Sequence, residues 1–537
     1  MYRVELREAY FPAQPDGEVL ETTVGGLLRD VAAGSPDAPA LVEVTMSGET
    51  GREWTYGELL GDAERLAAAL ASRFAPGERV AVWAPNIPEW VLMEYACALA
   101  GLILVTVNPA YQRQELDYVL RQSRASGLFL VPEYRGNPMQ QIAGAVCADI
   151  PAIREVTNLE DHDALFAAGG RDRVLPEVKP GDPAQIQYTS GTTGFPKGAV
   201  LHHRGVVTNA LLVKNRMGIA NGSTYLNFMP LFHTAGCGIL TLGCLHARGR
   251  MLVAKLFDPP RMNALIERER VTTLMGVPTM LIGLLEAFRQ QPVDVSSIQM
   301  AVSGGSMVPP DLVRRICDTY ECGFQIVYGQ TETSPVVTQS HADDSVEDIA
   351  GTVGQPLPQT EISIRDPQTN EVVPVDTIGE ICVRGYCAML EYNDNPEATA
   401  GTIDAQGWLH TGDLGTMDAR GYVRVTGRVK DMIIRGGENI FPAEIENVLA
   451  DHPAVAEAAV VGVPDDKWGE IAVCFYRREP GADVSVQELI DHCRAYLAPQ
   501  KTPARWIEVT DWPLTGSGKI QKFVLRERYQ AGEFGEE

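Results

Sequence analysis

Positive charge is scarce in this chain: 45 Lys and Arg stand against 70 Asp and Glu, a formal charge of −25 over 537 residues. A surplus of that sign repels nucleic acid and anionic lipid at long range. Any polyanionic ligand therefore has to be held locally, by a few placed cations and backbone N–H groups. Closely paired cysteines are missing too. The ten cysteines run from Cys97 to Cys493, and the tightest pairs, Cys317/Cys322 and Cys382/Cys387, lack the two-residue spacing of zinc and redox motifs, so reduced thiols are expected. The first twenty residues hold Arg3, Glu5, Arg7 and Glu8 and no sustained apolar stretch. Neither a secretory leader nor a membrane-spanning helix is expected there, and the cytoplasm is the default compartment. There is no Gly-x-Ser-x-Gly elbow of a serine hydrolase, and no Walker A loop, since the Gly518-Lys519 pair has Pro513 where the first glycine belongs. Internal repeats and low-complexity tracts are absent.

What is present is ordinary globular composition, 45% apolar and 21% charged, in a chain too long for one hydrophobic core. A large lobe followed by a smaller domain is expected. Residues 79 to 131 alternate apolar runs with helix-like stretches: Arg79–Trp83, Trp90–Ala100, Ile103–Val107, Glu115–Arg121 and Leu128–Val131. That alternation predicts βαβ units with largely parallel strands. It resumes at Met251–Ala254, Thr272–Gly276, Met300–Val302 and Gln325–Val327, each ending near Gly, Pro or Ser, where α/β sheets place ligands. From about Gly379 the texture shifts to shorter β-like segments, and Asp451–Arg477 with Val484–Leu497 predicts an α+β unit. The expected division is a large domain over 1–429 and a small one over 430–537, with the boundary at Arg428–Asp431.

The segment richest in chemistry is Tyr188-Thr-Ser-Gly-Thr-Thr-Gly-Phe-Pro-Lys-Gly-Ala199, read as a turn between strand-like Ala184–Gln187 and a helix-like stretch from Val206. Gly191 and Gly194 let backbone approach a ligand, Thr189, Ser190, Thr192 and Thr193 donate hydrogen bonds, and Lys197 brings a positive charge. Together they suit a phosphate cradle. On composition alone the same residues suit a polar surface loop.

The spacing resembles the superfamily of adenylate-forming enzymes, which includes acyl-CoA synthetases, firefly-type luciferases and adenylation domains of nonribosomal peptide synthesis. Six segments follow in that family's order: Tyr188–Ala199, Pro230–Gly236, Tyr328-Gly-Gln-Thr-Glu332, Trp408-Leu-His-Thr-Gly-Asp413, Gly427-Arg-Val-Lys-Asp431 and Pro513–Lys522. The resemblance spans nearly the whole chain. It implies an α/β fold, a large N-terminal lobe of mixed and parallel sheets flanked by helices, with a small mobile α+β C-terminal domain.

It also implies site residues. Glu332 would bind Mg²⁺, whose shell favours hard oxygen donors, although a lone Glu after a turn is otherwise a solvated or capping carboxylate. Tyr328 would pack on adenine, with Gly329 and Thr331 in the same segment, and Asp413 and Arg428 would contact the ribose of ATP. Lys519 would bridge the substrate carboxylate and the α-phosphate. His233 would gate the acyl pocket, or serve as a satisfied core histidine among Leu226, Phe228, Leu231, Phe232 and Ile239. Lys430 would lie at a hinge between two poses of the small domain. Gly436 and Gly437 would line a thiol tunnel, with Trp468 either near the coenzyme A nucleotide or anchoring a surface turn. The closest branch is that of medium- and long-chain fatty acyl-CoA synthetases, on Val105-Thr-Val-Asn-Pro-Ala-Tyr111, Asp431–Asn439 and Ile520-Gln-Lys522. A carboxylic acid substrate, ATP, Mg²⁺ and coenzyme A are expected, the acid a medium-chain fatty acid. An aryl acid, the phosphopantetheine of a separate carrier protein as acceptor, and a nucleotide-binding protein without catalysis stay open.

Overall fold

The computed structural model describes residues 1–167, 174–189, 196–306, 308–436, 438–465, 467–513 and 520–534. In the seven-stranded sheet, strands Arg79–Trp83, Ile103–Val107 and Ala125–Leu130 are parallel and joined by helices Pro88–Ala100 and Arg113–Ser123, as the alternation predicts. Strands covered by helices lose solvent on both faces, which is why they read as continuous apolar runs. Helix Pro88–Ala100 lies inside the core and has no polar face: proline starts it, left-handed Gly101 ends it, and every residue is buried.

The segment after Thr189 departs from its reading as one long turn. Strand Pro183–Thr189 pairs antiparallel with strand Lys197–His202, and the next helix starts at His203, three residues before Val206. Ala199, Val200 and Leu201 are buried, and their removal from water outweighs what a solvated turn would offer. The His202 ring then caps the helix by accepting from the Gly205 N–H at 3.0 Å.

A nine-stranded sheet holds parallel neighbours Arg250–Ala254, Thr224–Asn227, Thr273–Met275, Met300–Gly304 and Gly323–Gly329, with antiparallel strands at both edges. An antiparallel sheet follows from Tyr10–Phe11, Thr360–Arg365, Gly379–Gly385, Leu409–Met417 and Val423–Arg428. Beyond Arg428 the strands Ile433–Arg435, Glu438–Ile440, Val455–Asp465, Gly469–Arg478 and Arg505–Glu508 form a separate sheet. Helices Pro442–Ala450 and Val486–Tyr496 bring Ile445, Leu449 and Leu489 into a core with Ile433, Ile440 and Val460. All ten cysteines are free. Among the described residues no helix is long and apolar enough to cross a membrane.

Candidate active site

Three residues from three separate sequence motifs meet at the carboxyl end of strand Gly323–Gly329. The chain turns sharply after Tyr328 because residue 329 is glycine: a Cβ there would lie 1.9 Å from the Pro335 carbonyl oxygen. The Tyr328 hydroxyl donates to Oδ2 of Asp413 at 3.0 Å. Asp413 faces Arg428 across the antiparallel pair Leu409–Met417 and Val423–Arg428, with Arg428 Nε 3.2 Å from Oδ1. The carboxylate is largely covered, and the guanidinium is half exposed. Burial, and after it the negative charge of Asp413, push the Tyr328 phenol well above its usual range, so it stays a donor. An aromatic ring, a carboxylate and a guanidinium thus stand side by side.

The Asp413 backbone is fixed from below. Glu380 accepts from the Gly412 N–H at 2.9 Å through Oε1 and pairs with His410 Nδ1 at 2.7 Å through Oε2. The Thr411 hydroxyl accepts from the Asp413 N–H at 3.0 Å and donates to the Ile381 carbonyl at 2.7 Å. The hydrogen bond that the His410 ring donates to Glu380 raises the His410 pKa above the ordinary histidine value. Cys382 Sγ lies 3.5 Å from the same ring nitrogen. His410 stands inside its motif with no role that the sequence signals, and Glu380 lies outside the motifs, because no local pattern signals a cross-strand buttress.

Four residues beyond Tyr328, Glu332 sits in the 3₁₀ turn Thr331–Thr333 and is buried, so the solvated alternative does not hold. Its Oε1 accepts from the Tyr392 hydroxyl at 2.6 Å, and its carbonyl accepts from the Met389 N–H at 2.8 Å. Lys197 Nζ lies 4.8 Å from the centroid of the Tyr392 ring. Glu332 Oε2 has no hydrogen-bond partner among the described residues. A buried carboxylate with one oxygen tied back and the other open fits a hard divalent cation such as Mg²⁺. Burial first, and Glu332 second, raise the Tyr392 phenol far above its usual value. Tyr392 was not among the sequence-predicted residues.

His233 is exposed, at the entrance to the π-helix Ala235–Leu242, whose own residues are buried. It is therefore not a core histidine, while Leu226, Phe228, Leu231 and Ile239 are core residues. A π-helix widens the backbone turn and recurs at functional sites. Lys430 lies in the 3₁₀ turn Val429–Asp431 that joins the antiparallel sheet to the C-terminal one. Gly436, at φ +60°, donates its N–H to the Trp468 carbonyl at 2.7 Å, and a Cβ on it would come within 3.0 Å of Trp468 Cε3. The Trp468 ring is 42% exposed and carries the Arg435 guanidinium at 5.3 Å and Lys467 Nζ at 4.8 Å from its centroid. The structure thus brings Gly436 and Trp468 together. Thr189 ends its strand, its hydroxyl donating to the Lys197 carbonyl at 3.4 Å. Ser190, Gly191, Thr192, Thr193, Gly194, Gly437 and Lys519 lie outside the described residues.

The AMP-binding enzyme family matches residues 28–393, and the AMP-binding enzyme C-terminal domain matches residues 444–519. A mitochondrial medium-chain acyl-CoA ligase of Rattus norvegicus is 35% identical over 97% of this chain and 90% of its own length. Among solved structures, ATP-bound MatB from Rhodopseudomonas palustris superposes with a TM-score of 0.82 at 30% identity, covering 95% of this chain and 99% of that one. The o-succinylbenzoate CoA synthetase of Bacillus subtilis, in complex with its acyl-adenylate intermediate, superposes with a TM-score of 0.79 at 28% identity, covering 96% and 100%.

Proposed function

The chain belongs to the AMP-binding enzyme family, and we propose that it is an ATP-dependent acid–thiol ligase that activates a medium-chain fatty acid as acyl-AMP and passes the acyl group to coenzyme A. The observation that carries this reading is the meeting of Tyr328, Asp413 and Arg428, with Glu332 four residues after Tyr328. A flat ring for adenine, an acceptor and a donor for ribose hydroxyls, and a carboxylate for the polyphosphate's cation are the parts a nucleotide needs.

In the first half-reaction the substrate carboxylate attacks the α-phosphorus of ATP and pyrophosphate leaves. In the second the thiol attacks the acyl carbonyl and AMP leaves. The segment from Thr189 through Gly194, with Lys197, holds the phosphates. Glu332 is the protein ligand of Mg²⁺, which neutralises polyphosphate charge when bound. Lys519 brings its cation between two anions that must approach each other, where it stabilises the transition state more than the ground state. His233 gates the acyl pocket. The part from Lys430 onward swings between two poses, and in the second Gly436, Gly437 and Trp468 line the path of the pantetheine arm. Similarity to the rat medium-chain acyl-CoA ligase supports the medium-chain substrate. Ten free thiols support a reducing compartment, the cytoplasm.

The experiment is pyrophosphate release with MgATP across saturated fatty acids of increasing length, with benzoate included, each with and without coenzyme A. A maximum at one medium chain length that requires coenzyme A is the expected result. A preference for benzoate would replace the acid, and acceleration by a holo-carrier protein instead of coenzyme A would replace the acceptor. ATP binding without pyrophosphate release for any acid would overturn the reading.

A further inference from the structure

Segment 387–393 bridges two parts of the candidate site that are distant in sequence. Strand Glu391–Tyr392 pairs antiparallel with strand Lys197–His202, placing Tyr392 opposite Ala199. The same segment grips the turn at Glu332: Met389 N–H donates to the Glu332 carbonyl at 2.8 Å, and the Cys387 carbonyl accepts from the Ser334 hydroxyl at 2.7 Å. Within it, Tyr392 alone touches both charges. Its hydroxyl holds Glu332 Oε1 at 2.6 Å, and its ring face carries Lys197 Nζ at 4.8 Å.

A buried carboxylate and a nearby ammonium should collapse into an ion pair, because the low local dielectric strengthens their attraction. Among the described residues Lys197 and Glu332 form none: the first lies over the Tyr392 ring and the second accepts from its hydroxyl. Their joining would neutralise the two groups that a metal–polyphosphate needs separately: the cation for phosphate oxygens, the carboxylate for the metal. We propose that Tyr392 is a positioning residue that keeps Glu332 and Lys197 apart and aims one oxygen of Glu332 outward for the divalent cation. The hydroxyl ties down Oε1 and so fixes the direction of Oε2. The ring occupies the ammonium by a cation–π contact, which satisfies it without discharging the carboxylate. The proposal rests on the reading of Glu332 as the metal ligand.

The test titrates Mn²⁺, followed by its electron paramagnetic resonance signal, into the protein saturated with α,β-methylene ATP, whose α–β bridge cannot be cleaved to give up adenylate. Glu332→Gln tests the underlying reading and is expected to abolish tight Mn²⁺ binding. Tyr392→Phe removes one oxygen from a ring that stays packed, and should weaken Mn²⁺ about tenfold, the effect of one hydrogen bond to a charged group. Binding of the analogue in EDTA and the melting temperature should stay near wild type. Tyr392→Ala removes the ring as well and should weaken Mn²⁺ further, and adding Lys197→Met to it should recover part of the loss, since no ammonium then competes for Glu332. If E332Q loses Mn²⁺ while Y392F binds it as wild type does, the positioning role is overturned and the metal reading stands. If E332Q retains Mn²⁺, both fall. If Lys197→Met deepens the loss in the Tyr392→Ala background, the separation of charges is overturned.

Discussion

Asp413 and Arg428 face each other across one antiparallel strand pair, Nε to Oδ1 at 3.2 Å, while the Tyr328 hydroxyl occupies the second carboxylate oxygen. The proposed ribose site is thus prearranged by the protein's own hydrogen bonds, and a nucleotide bound there would exchange partners with it. Asp413→Asn keeps the shape but weakens the acceptor. Removing a hydrogen bond to a charged group costs roughly 1.5–3 kcal/mol, so the KM for ATP should rise about 10- to 100-fold, with the KM for the acid little changed. Steady-state kinetics with each substrate varied in turn checks this; an equal rise in both constants would mean the pair braces the fold instead.

Lys519, in the sequence segment Pro513–Lys522, is proposed to act in the first half-reaction alone. Lys519→Ala should cut pyrophosphate release by orders of magnitude while leaving thioester formation from supplied acyl-AMP and coenzyme A near wild type. Equal loss of both half-reactions in a folded variant would remove the residue from that role.

Part of this site was legible in the sequence through the family's motifs. Strand Gly323–Gly329 was readable from an apolar run, while Tyr328 and Glu332 were marked only by the motif in which they stand. Asp413 and Arg428 could each be named, but their pairing is a matter of register between two strands, and one sequence carries no register signal. Tyr392 was invisible for a related reason. It reaches Glu332 over a separation of 60 residues, through a two-residue strand that is too short to show periodicity. Strand Lys197–His202 was misread because three glycines and a proline precede or enter it, and the burial of Ala199, Val200 and Leu201 overrides that turn-like composition.

Gly436 provides a test of the thiol side. A methyl group there would sit 3.0 Å from Trp468 Cε3 on a backbone at φ +60°. Side chains other than glycine pay for that conformation with about 1 kcal/mol or more, and the Trp468 ring must shift. Gly436→Ala should therefore raise the KM for coenzyme A and slow the second half-reaction, with pyrophosphate release in single-turnover experiments nearly unaffected. A loss confined to the first half-reaction would separate this corner from the thiol.

Glu94 carries a prediction about stability. It is buried on helix Pro88–Ala100, its Oε1 accepts from Gln185 Nε2 at 2.7 Å, and its Oε2 has no hydrogen-bond partner among the described residues. Burial raises its pKa from 4.5 to about 8, so at pH 7 the folded protein holds a neutral acid where the unfolded chain holds a carboxylate. The folded state binds this proton more tightly than the unfolded one. Its contribution is therefore fully present below about pH 4.5, the unperturbed value, and declines as pH rises until the folded group itself ionises near pH 8. Glu94→Gln keeps the shape and the acceptor for Gln185 but has no proton to lose. Thermal melts from pH 5 to 9 should show the variant gaining on the wild type as pH rises, with the gap levelling above about pH 8. Parallel curves across that range would mean that ionisation of Glu94 is not coupled to folding.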